Sequence, residues 1–224
     1  MKNIPLGAMM LIAMVGCATD KPLEDKQLDS ISALDVVRYS TPELQRHSEG
    51  TIVGGGLLFG GFGMEALGAS AGKELRERCN LADFGELMVR AFVARAPEQM
   101  PKWPRMSVRE TPVEPVYSAK ETYVLLFQPT TVWLYIFGSL KGLNTGAMAT
   151  LMAPDGEVMW RHQAFYSQMR EKRGQDVEAL EANSCKLLKE EMQYAAGFMA
   201  NDFIANIRQG APQSSAGMAG PSDR

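Results

Sequence analysis

The chain predicts an α+β fold, an antiparallel or mixed β-sheet with helices packed on one face, closed by a long C-terminal amphipathic helix. Three observations carry this expectation. Between Tyr123 and Ser167, four β-rich runs follow one another with turn residues between them. A capped helical segment begins ahead of them at Asp83. Behind them, apolar residues recur at three- and four-residue steps from about Val177 to Ile207.

Taken in order, Ala33-Leu34-Asp35-Val36-Val37-Arg38-Tyr39 alternates well enough for a first strand, which Ser40-Thr41-Pro42-Glu43 ends. Residues 52–72 are punctuated by eight glycines, and Glu65 is their only charge. Lys73 to Arg78 reads as the end of a short helix, followed by Cys79. Asp83 caps the next helix, with Glu86 three residues on as the other half of a capping box. Phe84, Leu87, Met88, Ala91, Phe92 and Arg95 follow at helical spacing, and Pro97 is expected to end the helix. Five prolines across residues 97–116 imply an extended, irregular connection.

Tyr123 to Gln128 and Thr131 to Phe137 are two β-branched and aromatic strand runs. Gly146 to Ala153 and Glu157 to Ser167 flank Pro154-Asp155-Gly156, a hairpin turn signal. On the second arm Val158, Trp160, His162, Ala164 and Tyr166 share one face, opposite Met159, Arg161, Gln163 and Phe165. In the closing helix Cys185, Leu188, Met192, Ala195, Met199 and Phe203 form the apolar stripe. Lys186, Lys189, Glu190, Glu191 and Asp202 are expected on its wet side.

The first seventeen residues set the domain organisation. Lys2 is followed by an apolar run from Ile4 to Val15 and then by Gly16-Cys17, the order of an export signal. Met14-Val15-Gly16-Cys17 resembles the lipobox of bacterial lipoproteins; an ordinary secretory signal is the alternative. The resemblance implies that residues 1–16 are a signal peptide and that Cys17 is acylated, anchoring the chain to a membrane surface. Residues 17–32 would then be the lipidated cysteine and a solvated tether. Residues 33–208 would form a single α+β periplasmic domain, and residues 209–224, rich in Gly, Pro and Ser, a disordered tail. Ala18 stands where enteric inner-membrane lipoproteins carry Asp, so the resemblance implies an outer-membrane, periplasm-facing address, with inner membrane or cell surface open.

Composition agrees with a folded domain: 46% hydrophobic and 22% charged residues. A net charge of −3 without a basic run offers no footprint for nucleic acid. If lipidation takes Cys17, then Cys79 and Cys185 remain, either as a disulfide in an oxidising compartment or as two buried thiols.

Reactive chemistry is sparse. Gly61-Phe62-Gly63-Met64-Glu65-Ala66 matches G-x-G-x-x-A, yet no strand precedes it and Asp83 reads as a helix cap, so dinucleotide binding is not expected. The four-residue spacings Gly56/Gly60 and Gly68/Gly72 suit close apolar contact. Gly56, Gly60, Gly61 and Phe62 are the candidate membrane or partner contacts; a glycine-rich loop and helix start folded onto its own domain is the alternative. His162 lies mid-strand without a second ligand at zinc spacing and reads as a sheet-surface histidine; His47 is the only other histidine. No nucleophile motif is present, and Glu190-Glu191 reads as a solvated pair. No cofactor, metal or catalytic residue is expected. Trp133, Tyr135, Phe137 and Trp160 divide between core and a possible contact patch.

Thr122-Tyr123-Val124-Leu125, Thr131-Val132-Trp133-Leu134, Ala147-Met148-Ala149-Thr150-Leu151 and Asp155-Gly156-Glu157-Val158-Met159-Trp160, with the final helix, resemble a group of uncharacterised proteobacterial outer-membrane lipoproteins. More distantly, they are similar to the periplasmic α/β domains of TolB-type and curli-secretion lipoproteins. The resemblance spans about residues 117–207 and carries over no catalytic residue. It leaves two expectations. The first is a non-enzymatic accessory or assembly factor of a cell-envelope complex, with envelope proteins as partners and the oligomeric state open. The second is a lipid- or small-ligand-binding module.

Overall fold

The computed structural model describes residues 23, 27, 31–48, 66–100, 106–110, 122–136, 141–173 and 177–209. The signal segment, Cys17, most of the tether, Gly56, Gly60, Gly61, Phe62 and the tail from residue 210 lie outside the described residues. Leu23 and Ile31 are buried in the main core, so the chain is tied to the domain before the first strand, unlike a wholly solvated tether.

The expected α+β class is what the chain adopts. Its elements are β1 (Leu34–Arg38), β2 (Gln45–His47), α1 (66–79), α2 (Phe84–Gln99), β3 (Met106–Glu110), β4 (Tyr123–Tyr135), β5 (Gly142–Met152), β6 (Val158–Ser167), α3 (Val177–Glu181) and α4 (Lys186–Gln209). The strands form one mixed sheet in the order β3-β1-β4-β5-β6, with β2 also beside β4. β4, β5 and β6 form an antiparallel meander. β1 and β2 run parallel to β4, β1 along Tyr123 to Phe127 and β2 along Trp133 to Tyr135. Between those two registers β4 carries a bulge at Pro129/Thr131, the place where a strand tolerates a residue that cannot donate to the ladder.

α2 and α4 cover one face of the sheet and pack on each other. The apolar stripe of α4 and the inward residues of β4 and β6 fill the space between. Phe127 takes Phe92 of α2 at 5.0 Å and Phe203 of α4 at 5.5 Å, and Trp160 meets Phe203 at 6.4 Å. Each such ring, fully buried, stabilises the fold by about 1.5–3 kcal/mol. A smaller cluster of Val37, Val124, Leu126 and Met152 forms on the opposite face.

The N-terminus of α2 docks where β1 ends. Asp83 caps it as expected, accepting from the Glu86 N–H at 2.9 Å and the Thr41 hydroxyl at 2.7 Å while pairing with Arg38. Glu86 pairs with Arg90 one turn on.

Four expectations are corrected, and one strand lies beyond them. The two runs that begin at Tyr123 and Thr131 are one strand, Tyr123–Tyr135, because the bulge absorbs Pro129; Phe137 lies outside the described residues. The proline-rich connection contains a strand, β3, held parallel to β1. Pro97 lies inside α2 and the helix runs to Gln99; so near the C-terminus, only the last turn loses a hydrogen bond. β2 was not anticipated: three residues, Gln-Arg-His, carry no strand period. The closing helix is broken, with Asn183, Ser184 and Cys185 at positive φ between α3 and α4.

The β5–β6 hairpin turns as Asp155-Gly156 predicts, with Asp155 accepting from the Glu157 N–H at 3.0 Å. Gly156 has φ +89°, and nothing lies within 4 Å of where a Cβ would stand, so a substitution there is strained by backbone alone. Gly156→Val is expected to destabilise the domain by about 1–2 kcal/mol, and Gly156→Asn, which tolerates that region, by less. Thermal melts compare the variants; an unaltered melting temperature for Gly156→Val would contradict the turn assignment.

Candidate functional site

Four arrangements gather the polar and aromatic side chains. The first is at the junction of α1, α3 and α4. Cys79 ends α1 and Cys185 precedes α4; their sulfurs are bonded, with Cα atoms 5.6 Å apart. Both cysteines are buried. Beside them Glu181 of α3 receives Arg46 of β2 at 2.6 Å and Arg78 of α1 at 2.7 Å. α1 also presses on β2 through its glycines: a Cβ on Gly72 would stand 1.5 Å from the Leu44 carbonyl oxygen, and one on Gly68 2.8 Å from the His47 ring. This pair of small residues therefore serves contact within the domain.

The second arrangement runs along one stripe of α4 over β6. Tyr166 donates its hydroxyl to Glu191, and the other carboxylate oxygen receives Arg173 Nε at 3.3 Å. The Arg173 guanidinium lies over the Tyr194 ring, 3.7 Å from its centroid. Further along, His162 Nε2 meets Asp202 at 2.9 Å, and Trp160 donates to Asn206 at 2.9 Å. Glu191, Tyr194, Asp202 and Asn206 are three, eight and four residues apart, so they lie along one side of the helix.

This corrects two expectations. Glu191 is buried at 5% exposure instead of facing water. Its spacing held the signal, since it stands three residues after Leu188 and four before Ala195, inside the apolar stripe. His162 lies beneath α4, with Phe203 edge-on at 5.9 Å and Trp160 at 6.2 Å. The sequence shows its strand neighbours but not Asp202, forty residues away.

Chemically, the Glu191 group is a closed charge cluster. Burial first, and then the hydrogen bond and charge of Glu191, push the Tyr166 phenol well above its usual range, so it remains a donor. The His162–Asp202 pair has an orienting carboxylate but aromatic surroundings.

The third arrangement is an aromatic group on the other face of the sheet. His47, buried, stacks on Tyr135 at 5.1 Å, and Trp133 stands edge-on to Tyr135 at 5.9 Å. Burial also raises the Tyr135 pKa. The fourth is a surface cleft of about 360 Å³ between the β1–β2 connection and α1, lined by Glu43, Leu44, Lys73, Arg76, Glu77, Asn80 and Leu81. Two cations and two carboxylates suit a hydrated polar group there, not an apolar chain. Among the described residues, no group of three or more His, Cys, Asp or Glu is placed to hold a metal ion. No described helix is long and apolar enough to cross a membrane.

Tyr166→Phe leaves the buried Glu191 carboxylate short of a partner and is expected to cost about 1–3 kcal/mol. The same network gives a pH dependence. In the unfolded chain the phenol ionises near pH 10, while the folded protein holds its proton. The unfolded state then binds fewer protons, so stability falls as pH rises beyond that value. Urea titrations at pH 7 and above pH 10 check both effects, and the alkaline slope should be shallower in Tyr166→Phe.

No protein-family model matches the chain, and no curated protein matches it. Among solved structures it is similar to the PelC dodecamer from Paraburkholderia phytofirmans, at 12% identity and a TM-score of 0.31 over 76% of this chain and 93% of that one. A variant of the same dodecamer gives 13% identity and a TM-score of 0.31 over 71% of this chain and 87% of that one. Likeness this loose assigns the chain neither a family nor a role.

Proposed function

We propose that the chain is a membrane-anchored envelope lipoprotein that acts by contact, as a non-enzymatic accessory or assembly factor of a cell-envelope complex. One observation carries the reading. Among the described residues, the polar groups that chemistry would draw on, His162, Asp202, Tyr166, Glu191 and Arg173, are each engaged in tying α4 to the sheet or to the turn after β6. The interior that a lipid carrier would keep open is filled by Phe92, Phe127, Trp160 and Phe203. The cleft at Glu43 and Lys73 is charged and on the surface. What remains for function is the outside of the domain and the lipobox-like Met14-Val15-Gly16-Cys17, which supports anchoring through Cys17.

The test combines address and cargo. Full-length tagged protein, extracted from membranes, should carry acyl chains on Cys17 and co-purify with envelope proteins in fixed ratio. Cys17→Ser should move it to the soluble fraction and lose those proteins. Native mass spectrometry showing a bound lipid or small molecule on the Cys17→Ser protein, with no protein partner on the anchored form, would contradict the contact reading and favour the ligand-binding one.

A further inference from the structure

β6 closes one edge of the sheet, and among the described residues no strand lies beyond it. Its hydrogen-bond phase is fixed by the Gln168 N–H, which donates to Leu143 O at 3.0 Å in continuation of the β5 register. Even-numbered residues of β6 therefore face β5, and the N–H and C=O groups of Arg161, Gln163 and Phe165 point outward. Ser167 O is already taken by the Glu171 N–H at 3.1 Å, which ends the open run.

The side chains of this edge add a second observation. Phe165 is 60% exposed, the most exposed large apolar residue among those described; Met169 in the following turn and Tyr194 on the overlying stripe of α4 are exposed too. Phe165 stands on the outer face of the sheet, while Tyr194 lies on the helix-covered face against Tyr166. Arg161 shares the outer face with Phe165, and its Nε is buried with no hydrogen-bond partner among the described residues. Natural sheet edges of this length are usually blunted by a lysine, a proline or a bulge. β6 carries a bulge at Met159 and one charge, Arg161, but neither a lysine nor a proline, and the ladder is regular from Trp160 to Ser167.

We propose that this edge recognises a second copy of the same chain, β6 pairing antiparallel to β6 about a two-fold axis at Gln163. That centre places Arg161 opposite Phe165 of the other copy on the outer face, and Gln163 opposite itself. It engages all three outward residues of both strands, forming about six backbone hydrogen bonds. The cation then lies against the exposed ring, a pairing that suits both groups. Centring at Arg161 would oppose like charges. Centring at Phe165 would require the Ser167 carbonyl that the turn already uses. The charge-to-ring complementarity thus selects both the occupant and its register.

The test uses the full-length protein in detergent. At a directly opposed pair the Cα atoms stand about 5.5 Å apart, within disulfide reach. Gln163→Cys under mild oxidation is expected to give covalent dimer at least tenfold faster than Gln193→Cys on an exposed position of α4. Adding Phe165→Asp, at a solvent-facing site, should slow that cross-link at least tenfold while leaving the melting temperature unchanged. Exchanging the pair, Arg161→Phe with Phe165→Arg, should restore it. Equal rates for Q163C and Q193C, or a Q163C rate indifferent to Phe165→Asp, would overturn the proposal.

Discussion

The Cys79–Cys185 disulfide is the constraint that places α1 and α3 against the rest of the fold. It joins residues 106 apart in sequence, the end of α1 and the entry to α4. Such closure removes much of the unfolded chain's freedom, up to about 4.7 kcal/mol in the chain-entropy picture. It also explains the broken helix. An uninterrupted helix from Val177 would carry Cys185 onward along the stripe; three residues at positive φ instead turn the chain so that α3 and α4 are separate. Glu181, held by Arg46 and Arg78, then locks α3 to β2 and α1 at the same junction. Non-glycine residues in that region cost about 1–2 kcal/mol each, so the turn persists because the covalent bond and the ion pairs over-determine it.

From this junction α4 runs the length of β6, and its polar stripe sets its position there. Glu191 alone would be costly to bury by several kcal/mol. With Tyr166 donating and Arg173 shielding it, the cluster is satisfied, and its value lies in specificity of position more than in net stability. Asp202 and Asn206 repeat the arrangement further on, against His162 and Trp160. Apolar packing by Phe203, Met199 and Ala195 brings the helix to the sheet, and the polar pairs fix where along the sheet it stops.

Local signals were legible in the sequence, and distant pairings were not. Asp155-Gly156 announced the hairpin and Asp83 the start of α2, because both are decided by backbone groups within a few residues. For Cys79 and Cys185 the sequence left a disulfide and two buried thiols open, and the structure has the bond. β2 and β3 were invisible, since Gln45-Arg46-His47 and Met106-Ser107-Val108 become strands only through β4 and β1 alongside them. Pro129 misled because its effect on a strand depends on whether a bulge can absorb it. Glu191 has the charge of a surface residue and the spacing of a core one, and the spacing decides its place. The partner of His162 lay on another element, where no spacing rule reaches.

The disulfide holds α1 and α3 against a sheet-and-helix core that folds around β4 and α4. Native-state hydrogen exchange of the full-length protein, oxidised and reduced, tests this most directly. After reduction, amides of residues 66–79 and 177–185 should accelerate at least tenfold more than those of β4 and α4, a difference of about 1.4 kcal/mol in local protection. Equal acceleration throughout, or none at the junction, would contradict it.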